Sequence, residues 1–501
     1  MQIAGLDVGT TGTKITVYES DGRFLDSAYR EYDVTRAHGA HEIDANVIWE
    51  AVLAVITEVG RRGYSPAAIG VTTFGETFVA LDEHDEVLLP SMLYTDPRGE
   101  EEVKELIASF GEEKLTYIAG VKPHAMFSLP KLMWIKNNRP EIFAKIKRVL
   151  LAEDYVVYRL SGEAKIDYSL AARTMALDIR ARQWSKEIFA AAGIDPSLFS
   201  TPVPTGSVAG LIRPALAKEL GLSPETRIVC GCHDQVAAAV GSGVFTPGEA
   251  VDGTGTVECI TPVFDHIPED PRLYDGGYSV VPYVFPGTYV CYAFSFTGGA
   301  TLKWYRDNFA RYEEQLAKEQ GKKIYAELDA AAPKAPTDIL ILPHFAGAAT
   351  PYMDNGARAV IAGLTLSHTN LDIYRALMEG VTYEIRINIE QLESFGIRPR
   401  VLYAVGGGAS SPLWLSIKAD VLGRPVTALE AREVGACGTA MMCAVAMGAC
   451  ADLYEAKKLF VKQKETHTPN AENSTVYEKN YKAYQKMYAA MRPIIAEVTN
   501  E

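Results

Sequence analysis

Residues 5–14 read GLDVGTTGTK, a glycine- and threonine-rich stretch close to the start of the chain. The apolar run Ile3–Asp7 leads into it, and the alternating residues 13–18, TKITVY, follow. Such a pattern predicts a β-hairpin whose backbone N–H groups can approach phosphate oxygens closely. A P-loop would instead read GxxxxGK[ST] between a strand and a helix, and these residues do not. A plain β-turn that binds nothing is the alternative.

Length and composition bound the remaining possibilities. The 501 residues are too many for one hydrophobic core, so two or more domains are expected. Hydrophobic residues make up 48% and charged residues 22%, which is typical of a globular enzyme. The net charge of -14 argues against a nucleic-acid or anionic-membrane partner, because its field repels phosphate backbones.

Cysteine usage and hydropathy predict a cytoplasmic location. The seven cysteines have neither metal-finger nor paired spacing, so buried thiols in a reducing compartment are expected. The opening residues MQIAGLDVG lack the basic and apolar segments of a signal peptide. No run of 18 apolar residues is present, so no membrane span is expected.

A second stretch near the middle of the chain has the same order of features as the first. Residues 249–260 read EAVDGTGTVECI: apolar residues, an aspartate, a Gly-Thr turn and an apolar alternation. Chance similarity between two Gly-Thr turns is the alternative to a duplication. Strands alternate with helices up to about residue 240, which predicts a layered α/β domain, and residues 240–247, VGSGVFTP, form a natural boundary.

Two later glycine-rich stretches also predict anion or nucleotide contacts. Thr297–Ala300, TGGA, precedes an amphipathic helix, and a helix N-terminus with two glycines can bind an anion. Residues 404–411, AVGGGASS, follow a predicted strand and resemble the dinucleotide fingerprint GxGxxG, but its third glycine is absent. These glycines more simply let an adenine ring lie against the backbone.

Taken in order, several motifs resemble the FGGY family of carbohydrate kinases, of which xylulokinase and glycerol kinase are members. The motifs are DVGTTGTK at residues 7–14, MFSLPKLMWIKNN at 126–138, HDQVAAAVGSG at 233–243, AVIAGLTLSHTNLDIYRALME at 359–379 and GGGAS at 406–410. The resemblance implies an α/β fold with two ribonuclease-H-like (actin-like ATPase) domains and a ligand cleft between them. Residues 1–243 would form the sugar-binding and catalytic domain, and residues 244–501 the nucleotide-binding domain. The implied cofactors are ATP and Mg²⁺, and a homodimer is possible.

Asp234, in the stretch GCHDQ at residues 231–235, matches the family's catalytic aspartate. The alanine-rich residues Val236–Val240 follow, so Asp234 would begin a helix whose dipole keeps the carboxylate ionised. Because a carboxylate cannot fully deprotonate an ordinary alcohol, it would accept the proton late, as the P–O bond forms. Without the resemblance, Asp234 would be interpreted as a helix cap.

Four residues are candidates for the substrate side, and three of them match motifs of the family. Glu76, in residues 73–77, TFGET, stands where glycerol kinases carry a glutamate after an arginine and where xylulokinases carry methionine-histidine. The pair Gly75-Glu76 follows neither pattern fully, so the sugar stays open between a ketopentose such as D-xylulose and another polyol or ketose. Asp96 and Arg98 match the next motif, with a surface ion pair as the alternative. Gln235 is expected to contact a further hydroxyl.

The resemblance also implies a nucleotide site. The predicted contacts are Gly9, Thr10, Thr11 and Lys14 on the γ-phosphate side, Thr254, Gly255 and Gly299 on the β/γ side, and Gly407 and Gly408 at the adenosine. Asp7 would repel a bare phosphate, so Asp7 and Asp234 are expected to bracket Mg²⁺, mostly through waters.

Two other function classes remain. An actin-like or chaperone-type ATPase would share both Gly-Thr turns but would leave Glu76, Asp96 and the stretch at 126–138 without a role. A nicotinamide oxidoreductase would use the incomplete fingerprint at 404–411. Sugar-dependent ADP release separates the first of these from a kinase.

Overall fold

The computed structural model describes residues 1–37, 39–430 and 433–499. In the first half of the chain, short strands alternate with helices. The strands are β1 (Gln2–Val8), β2 (Gly12–Glu19), β3 (Phe24–Glu31), β4 (Thr35–Ala37), β5 (Ala40–Ile43), β6 (Ala68–Thr73), β7 (Phe78–Leu81), β8 (Ser91–Met92), β9 (Arg148–Leu151), β10 (Lys165–Asp167), β11 (Leu177–Asp178), β12 (Gln183–Trp184), β13 (Thr201–Val203), β14 (Val208–Leu211) and β15 (Arg227–His233). The helices are α1 (Ala45–Arg61), α2 (Glu100–Phe110), α3 (Glu112–Ala119), α4 (Ser128–Asn138), α5 (Pro140–Phe143), α6 (Ala152–Ser161), α7 (Tyr168–Ala172), α8 (Lys186–Ala192), α9 (Pro214–Leu220) and α10 (Asp234–Gly241).

The second half continues the alternation with longer helices. The strands are β16 (Glu249–Thr254), β17 (Glu258–Phe264), β18 (Val280–Pro282), β19 (Tyr289–Cys291), β20 (Ala293–Ser295), β21 (Leu340–Leu342), β22 (Val360–Ala362), β23 (Val401–Val405), β24 (Val426–Leu429) and β25 (Gln463–His467). The helices are α11 (Arg272–Asp275), α12 (Gly299–Phe309), α13 (Arg311–Glu319), α14 (Ile324–Ala331), α15 (Asn370–Ser394), α16 (Pro412–Leu422), α17 (Val434–Ala446), α18 (Leu453–Phe460), α19 (Ala471–Tyr484) and α20 (Met487–Thr499).

The predicted hairpin at the start of the chain is present. Strands β1 and β2 pair antiparallel with Asp7 opposite Lys14, and the Gly9 N–H donates to the Gly12 carbonyl at 2.9 Å to close the turn. Strand β3 continues this antiparallel ribbon, while β6 and β15 add on the other side of β1 in the parallel sense. The resulting order is β14-β15-β6-β1-β2-β3.

The second Gly-Thr stretch builds an eight-stranded sheet that also contains β18 and β19 and whose other six strands follow the order of the first sheet. Strands β16 and β17 form its antiparallel hairpin, and β20 extends it. On the other side of β16, β23 and β24 add in parallel, and β25 ends the sheet antiparallel, as β14 does in the first. The weak internal repeat therefore corresponds to a repeated sheet topology, and the predicted ribonuclease-H-like fold class is confirmed.

The chain forms two compact units. The first contains Met1–Gly243, Ser279–Val290 and Glu433–Val461, and the second contains Val244–Tyr278, Cys291–Arg432 and Lys462–Glu501. Helix α17 thus packs with the first unit although it lies far along the chain. The sequence-based limits of the two family domains, 1–243 and 244–501, stay a prediction.

Helix α17 packs unusually close to the first sheet and to α10, because glycines replace side chains at the contacts. A Cβ on Gly5 would lie 2.1 Å from the carbonyl oxygen of Ala436, and one on Gly241 would lie 2.0 Å from that of Val434. The first unit's core lies between its sheet and α1, which the buried residues Ile48, Val52, Val55 and Ile56 attach to the β-strands. Within the described ranges, the helices are all too short or too polar to cross a bilayer.

Candidate functional site

The first Gly-Thr turn is held by aromatic residues and one ion pair. The Tyr32 hydroxyl donates to the Gly9 carbonyl at 2.6 Å, and a Cβ on Gly12 would overlap the Tyr29 ring. Thr11 is exposed, and Thr10 is partly so. Lys14 Nζ lies 2.8 Å from Oε1 of Glu433, the residue just before α17. The predicted γ-phosphate contacts therefore lie together on one accessible turn.

Asp7, at the end of β1, carries a strongly perturbed carboxyl group. Burial raises its pKa to about 7, with further increases from the negative charges of Asp234 and Glu433, while Lys14 opposes them. Gly435 stands where a Cβ would lie 3.4 Å from Oδ2 of Asp7, so the start of α17 approaches this carboxylate closely. A nearby cation stabilises the ionised form of such a buried carboxylate more than that of an exposed one.

Asp234 is the first residue of α10, as predicted, but the helix terminus does not determine its pKa. Burial raises that pKa to about 6, although the Gln235 backbone and Arg173 both lower it. The side chain keeps 41% of its surface accessible, whereas Oδ1 is buried and lies 3.3 Å from Nε2 of His233 without accepting a well-aligned hydrogen bond from the described residues. The dipole alone thus does not keep this group strongly acidic, and Asp234 is a better base than an exposed aspartate.

Glu76 is held in a strained conformation by a buried ion pair. Its φ is 64°, in the left-handed region that costs a non-glycine residue roughly 1–2 kcal/mol. Arg173 donates from Nε to Oε1 of Glu76 at 2.5 Å and also pairs through Nη2. Ser128 donates to the Glu76 carbonyl at 2.5 Å. Backbone strain that the surrounding structure enforces is common at ligand sites. Here it fixes the direction of the Glu76 carboxylate.

Gly75 and His233 complete the surroundings of Glu76. A Cβ on Gly75 would lie 3.1 Å from Cγ of Arg173 and 3.1 Å from Cδ2 of His233, so the glycine allows close packing. Burial, together with Arg173, lowers the pKa of His233 to about 3. The imidazole is therefore neutral at physiological pH. Gln235, half-buried, follows Asp234 at the start of α10.

Asp96 is buried, and its carboxylate is fully occupied by the protein. Oδ1 accepts from the backbone and Nε of Arg98, and Oδ2 accepts from the His41 N–H at 2.7 Å and from Nη2 of Arg98 at 2.7 Å. Lys131 donates to the Asp96 carbonyl at 2.6 Å. Arg98 also pairs with Glu42 at 2.6 Å. The Asp96–Arg98 pair is therefore a buried, hydrogen-bonded network and not the surface ion pair given as the alternative. This network orients Arg98.

The second unit contains a cavity of about 740 Å³ beside its glycine-rich turns. Its walls are a mixture of backbone, aliphatic and aromatic groups. The lining residues are Gly255, Gly299, Leu302, Lys323, Tyr325, Ala326, Asp329, Ala330, Tyr374, Gly407, Gly408 and Ser410–Trp414. Four predicted nucleotide contacts thus share one cavity, whose volume is in the range of small-molecule and cofactor sites.

Two predicted phosphate donors in this unit are engaged by protein partners. The N–H of Gly299 donates to the Gly255 carbonyl at 2.8 Å, and that of Ala300 donates to the Thr256 carbonyl at 3.1 Å, so the start of α12 is capped by the hairpin. The Thr254 hydroxyl is buried and accepts from Lys418 at 2.6 Å. Gly299 lines the cavity, whereas Thr254 lies behind its wall.

No group of three or more histidine, cysteine or acidic side chains in the described ranges is arranged to hold a metal ion. Mg²⁺ commonly keeps several waters and is bound by one or two carboxylates plus substrate phosphates. Asp7, with its raised pKa, and Asp234, whose Oδ1 accepts no hydrogen bond within the described part of the chain and lies beside the neutral His233 ring, fit that mode. These two residues could hold a hydrated ion that a nucleotide brings with it.

Comparison with known proteins assigns the family. The model of the FGGY carbohydrate kinase N-terminal domain matches residues 2–241, and that of the C-terminal domain matches residues 272–447. The chain belongs to the FGGY family of carbohydrate kinases. The resemblance inferred from the motifs is confirmed.

Individual FGGY relatives are similar over nearly their whole length. The chain is 26% identical to xylulose kinase of Bacillus subtilis over 483 residues, covering 95% of this chain and 94% of the relative. It is 26% identical to gluconokinase of Bacillus licheniformis over 516 residues, with 99% and 97% coverage. The crystal structure of xylulose kinase from Rhodospirillum rubrum is 29% identical, covers 99% of this chain and 100% of that one, and superposes with a TM-score of 0.85.

Three charged residues of this FGGY protein were missed by sequence reasoning. Arg173 directly follows α7, Glu433 precedes α17, and Lys418 lies within α16. Each contacts a predicted site residue, namely Glu76, Lys14 and Thr254 in that order. The sequence signal was weak: a lysine within a largely apolar stretch, as for Lys418 in residues 412–422, PLWLSIKADVL, which also contains Asp420.

Proposed function

We propose that this FGGY protein transfers the γ-phosphoryl group of ATP to a hydroxyl of a small uncharged sugar, with D-xylulose as the leading substrate. The observation that carries the proposal is the buried Glu76–Arg173 pair in the unit that also holds Asp234. Two carboxylates offer acceptors for sugar hydroxyls, and the nearby guanidinium is already committed to Glu76. A sugar acid would meet these negative charges without a spare cation from Arg173.

The choice of a ketopentose is supported by similarity. The xylulose kinases of Bacillus subtilis and Rhodospirillum rubrum are 26% and 29% identical to this chain.

A second candidate is a kinase of glycerol, erythritol or another polyol or ketose. Glu76 favours it, because the motif comparison places a glutamate there in glycerol kinases. The missing arginine at position 75 argues against glycerol itself.

In the proposed reaction, Asp234 orients the acceptor hydroxyl and takes its proton as the P–O bond forms. With a pKa raised to about 6, the group is ionised at neutral pH yet is more basic than an exposed aspartate. Glu76, held by Arg173, would accept from a second hydroxyl, and Gln235 would donate to a third. Arg98, positioned by Asp96, would close the sugar site.

The nucleotide would use both glycine-rich hairpins. Gly9, Thr10, Thr11 and Lys14 would donate to the γ-phosphate, while Gly255, Gly299, Gly407 and Gly408 would line the adenosine and the β-phosphate. Mg²⁺ held by Asp7 and Asp234 would neutralise phosphate charge. Since ATP is required and all seven cysteines are free thiols, we place the activity in the cytoplasm.

The deciding experiment is a panel of pentuloses, hexuloses, polyols and sugar acids, scored by sugar-dependent ADP release. The proposal expects the largest kcat/KM with a neutral ketopentose. Preference for a polyol would establish the second candidate, and preference for gluconate would overturn the argument from Glu76. ADP release that is independent of any sugar would indicate an ATPase instead.

A further inference from the structure

A buried cluster of charged groups lies behind the cavity of the second unit. Lys418, on α16, has only 1% of its side chain exposed. Its Nζ lies 2.5 Å from Oδ2 of Asp252, 2.6 Å from Oγ1 of Thr254 and 2.9 Å from Oε1 of Glu258. A buried ammonium group is costly unless it is paired in this way, so the cluster holds α16 against β16 and β17.

Within the cluster, the Thr254 hydroxyl already uses its single hydrogen in a hydrogen bond. Oγ1 accepts from Lys418 and lies 3.3 Å from Oδ1 of Asp252, to which it donates. A hydroxyl has one hydrogen, so no donor remains for a phosphate oxygen. Any role of Thr254 in ligand binding must therefore come from its position and not from its hydroxyl.

That position is directly beneath the glycine-rich loop of the cavity. A Cβ on Gly408 would lie 2.5 Å from Cγ2 of Thr254, and one on Gly406, whose φ is 86°, would lie 2.5 Å from the Thr254 carbonyl oxygen. Gly407, Gly408 and the first turn of α16 line the cavity. Through Thr254, Lys418 thus connects three components of the cavity: the second hairpin, the glycine-rich loop and α16.

We propose that Lys418, acting through Thr254, is a positioning residue that sets the affinity of this cavity for an adenine nucleotide. The inference rests on the proposed function, because it takes the cavity as the nucleotide site. The alternative role is that the buried charges only stabilise the second unit. The two roles differ in whether binding is lost from a protein that remains folded.

Thr254→Val is the central variant, since it removes both hydroxyl interactions but keeps the methyl group that packs under Gly408. Lys418→Met removes the cation. The triple variant Lys418→Met/Asp252→Asn/Glu258→Gln removes the cluster while leaving no unpaired buried charge. Thr261→Val, on β17 and outside the cavity lining, is the matched control.

Binding of Mg-ADP is measured by calorimetry without sugar, alongside melting temperatures and the KM values for ATP and sugar. Thr254→Val and the triple variant are expected to weaken Mg-ADP about tenfold and to raise the ATP KM similarly, with sugar KM unchanged within about twofold. Thr261→Val should match the wild type.

The proposal would be overturned if folded Thr254→Val bound Mg-ADP as tightly as the wild type does. Wild-type affinity for Mg-ADP in the triple variant would overturn it as well. If Lys418→Met does not fold, Thr254→Val and the triple variant still test whether the cluster sets the affinity for the nucleotide. Failure of the wild type itself to bind Mg-ADP would defeat the kinase proposal together with this one, so the two failures are distinguishable.

Discussion

Nε of Arg173 lies 2.5 Å from Oε1 of Glu76, although 97 positions separate the two residues in the chain. Both side chains are buried, and the guanidinium also lies 5.0 Å from the centre of the Phe127 ring. A buried pair of this kind is costly to break from one side, by about 3–5 kcal/mol, because the remaining charge is left uncompensated. The pair therefore fixes the carboxylate proposed to contact the sugar.

Replacing Glu76 with Gln should weaken sugar binding specifically. We expect the sugar KM to rise about tenfold or more and the ATP KM to change less than about twofold, because the pair lies on the sugar side. The variant should also melt at a lower temperature. In Glu76→Gln/Arg173→Met, charge balance returns and stability should recover, while sugar KM stays high. Equal rises in both KM values would mean that Glu76 supports only the fold.

Replacing Asp234 with Asn should remove the proton acceptor without removing the nucleotide. Turnover should fall by about 10²–10⁴-fold, while Mg-ADP still binds. Single-turnover kinetics and calorimetry measure the two effects. Asp265→Asn, at an exposed position, is the control and should leave turnover unchanged. A fall of less than about tenfold would exclude Asp234 as the base.

Replacing Gly408 with Ala should damage the cavity of the second unit. The new Cβ would lie 2.5 Å from Cγ2 of Thr254, so the loop must shift, and we expect the ATP KM to rise about tenfold. Gly253→Ala is the control, since its Cβ would meet its nearest neighbour at an ordinary 3.7 Å. Matching ATP KM values for the two variants would argue against this loop as a nucleotide contact.

Replacing Glu153 with Gln should change how stability depends on pH. Burial, aided by Asp167 and Asp154, raises the pKa of Glu153 well above its usual value. An acid with a raised pKa contributes stability that is fully present below its unfolded pKa and is lost as pH rises through the folded pKa. The wild type should thus lose stability as pH rises from the usual glutamate pKa of about 4.5 toward the raised pKa of the folded state, and Glu153→Gln should lose less.

Melting temperatures across this pH range test the prediction. Glu83→Gln, at an exposed position, should follow the wild-type curve in parallel. Parallel curves for Glu153→Gln and wild type would show that the buried carboxyl does not titrate differently in the folded state.

Local sequence patterns predicted the features that depend on backbone conformation. Both hairpins and the start of α10 at Asp234 were visible, because glycine-rich turns and helix starts require particular residues at adjacent positions. The motifs, read in order, also predicted the family. The ion pairs of Arg173, Glu433 and Lys418 were not visible, because each joins residues that lie far apart in the chain.

The sequence by itself predicted the two Gly-Thr turns from residue types at short spacing, and its ordered motifs predicted the family, from which Asp234 was inferred to be the candidate base. Only the tertiary structure decided that Thr254 has no hydroxyl donor to spare, that Asp96 is fully bonded, and that burial outweighs the helix terminus at Asp234. The reason is physical: desolvation and long-range pairing are properties of packing, which brings distant residues together and removes water from them.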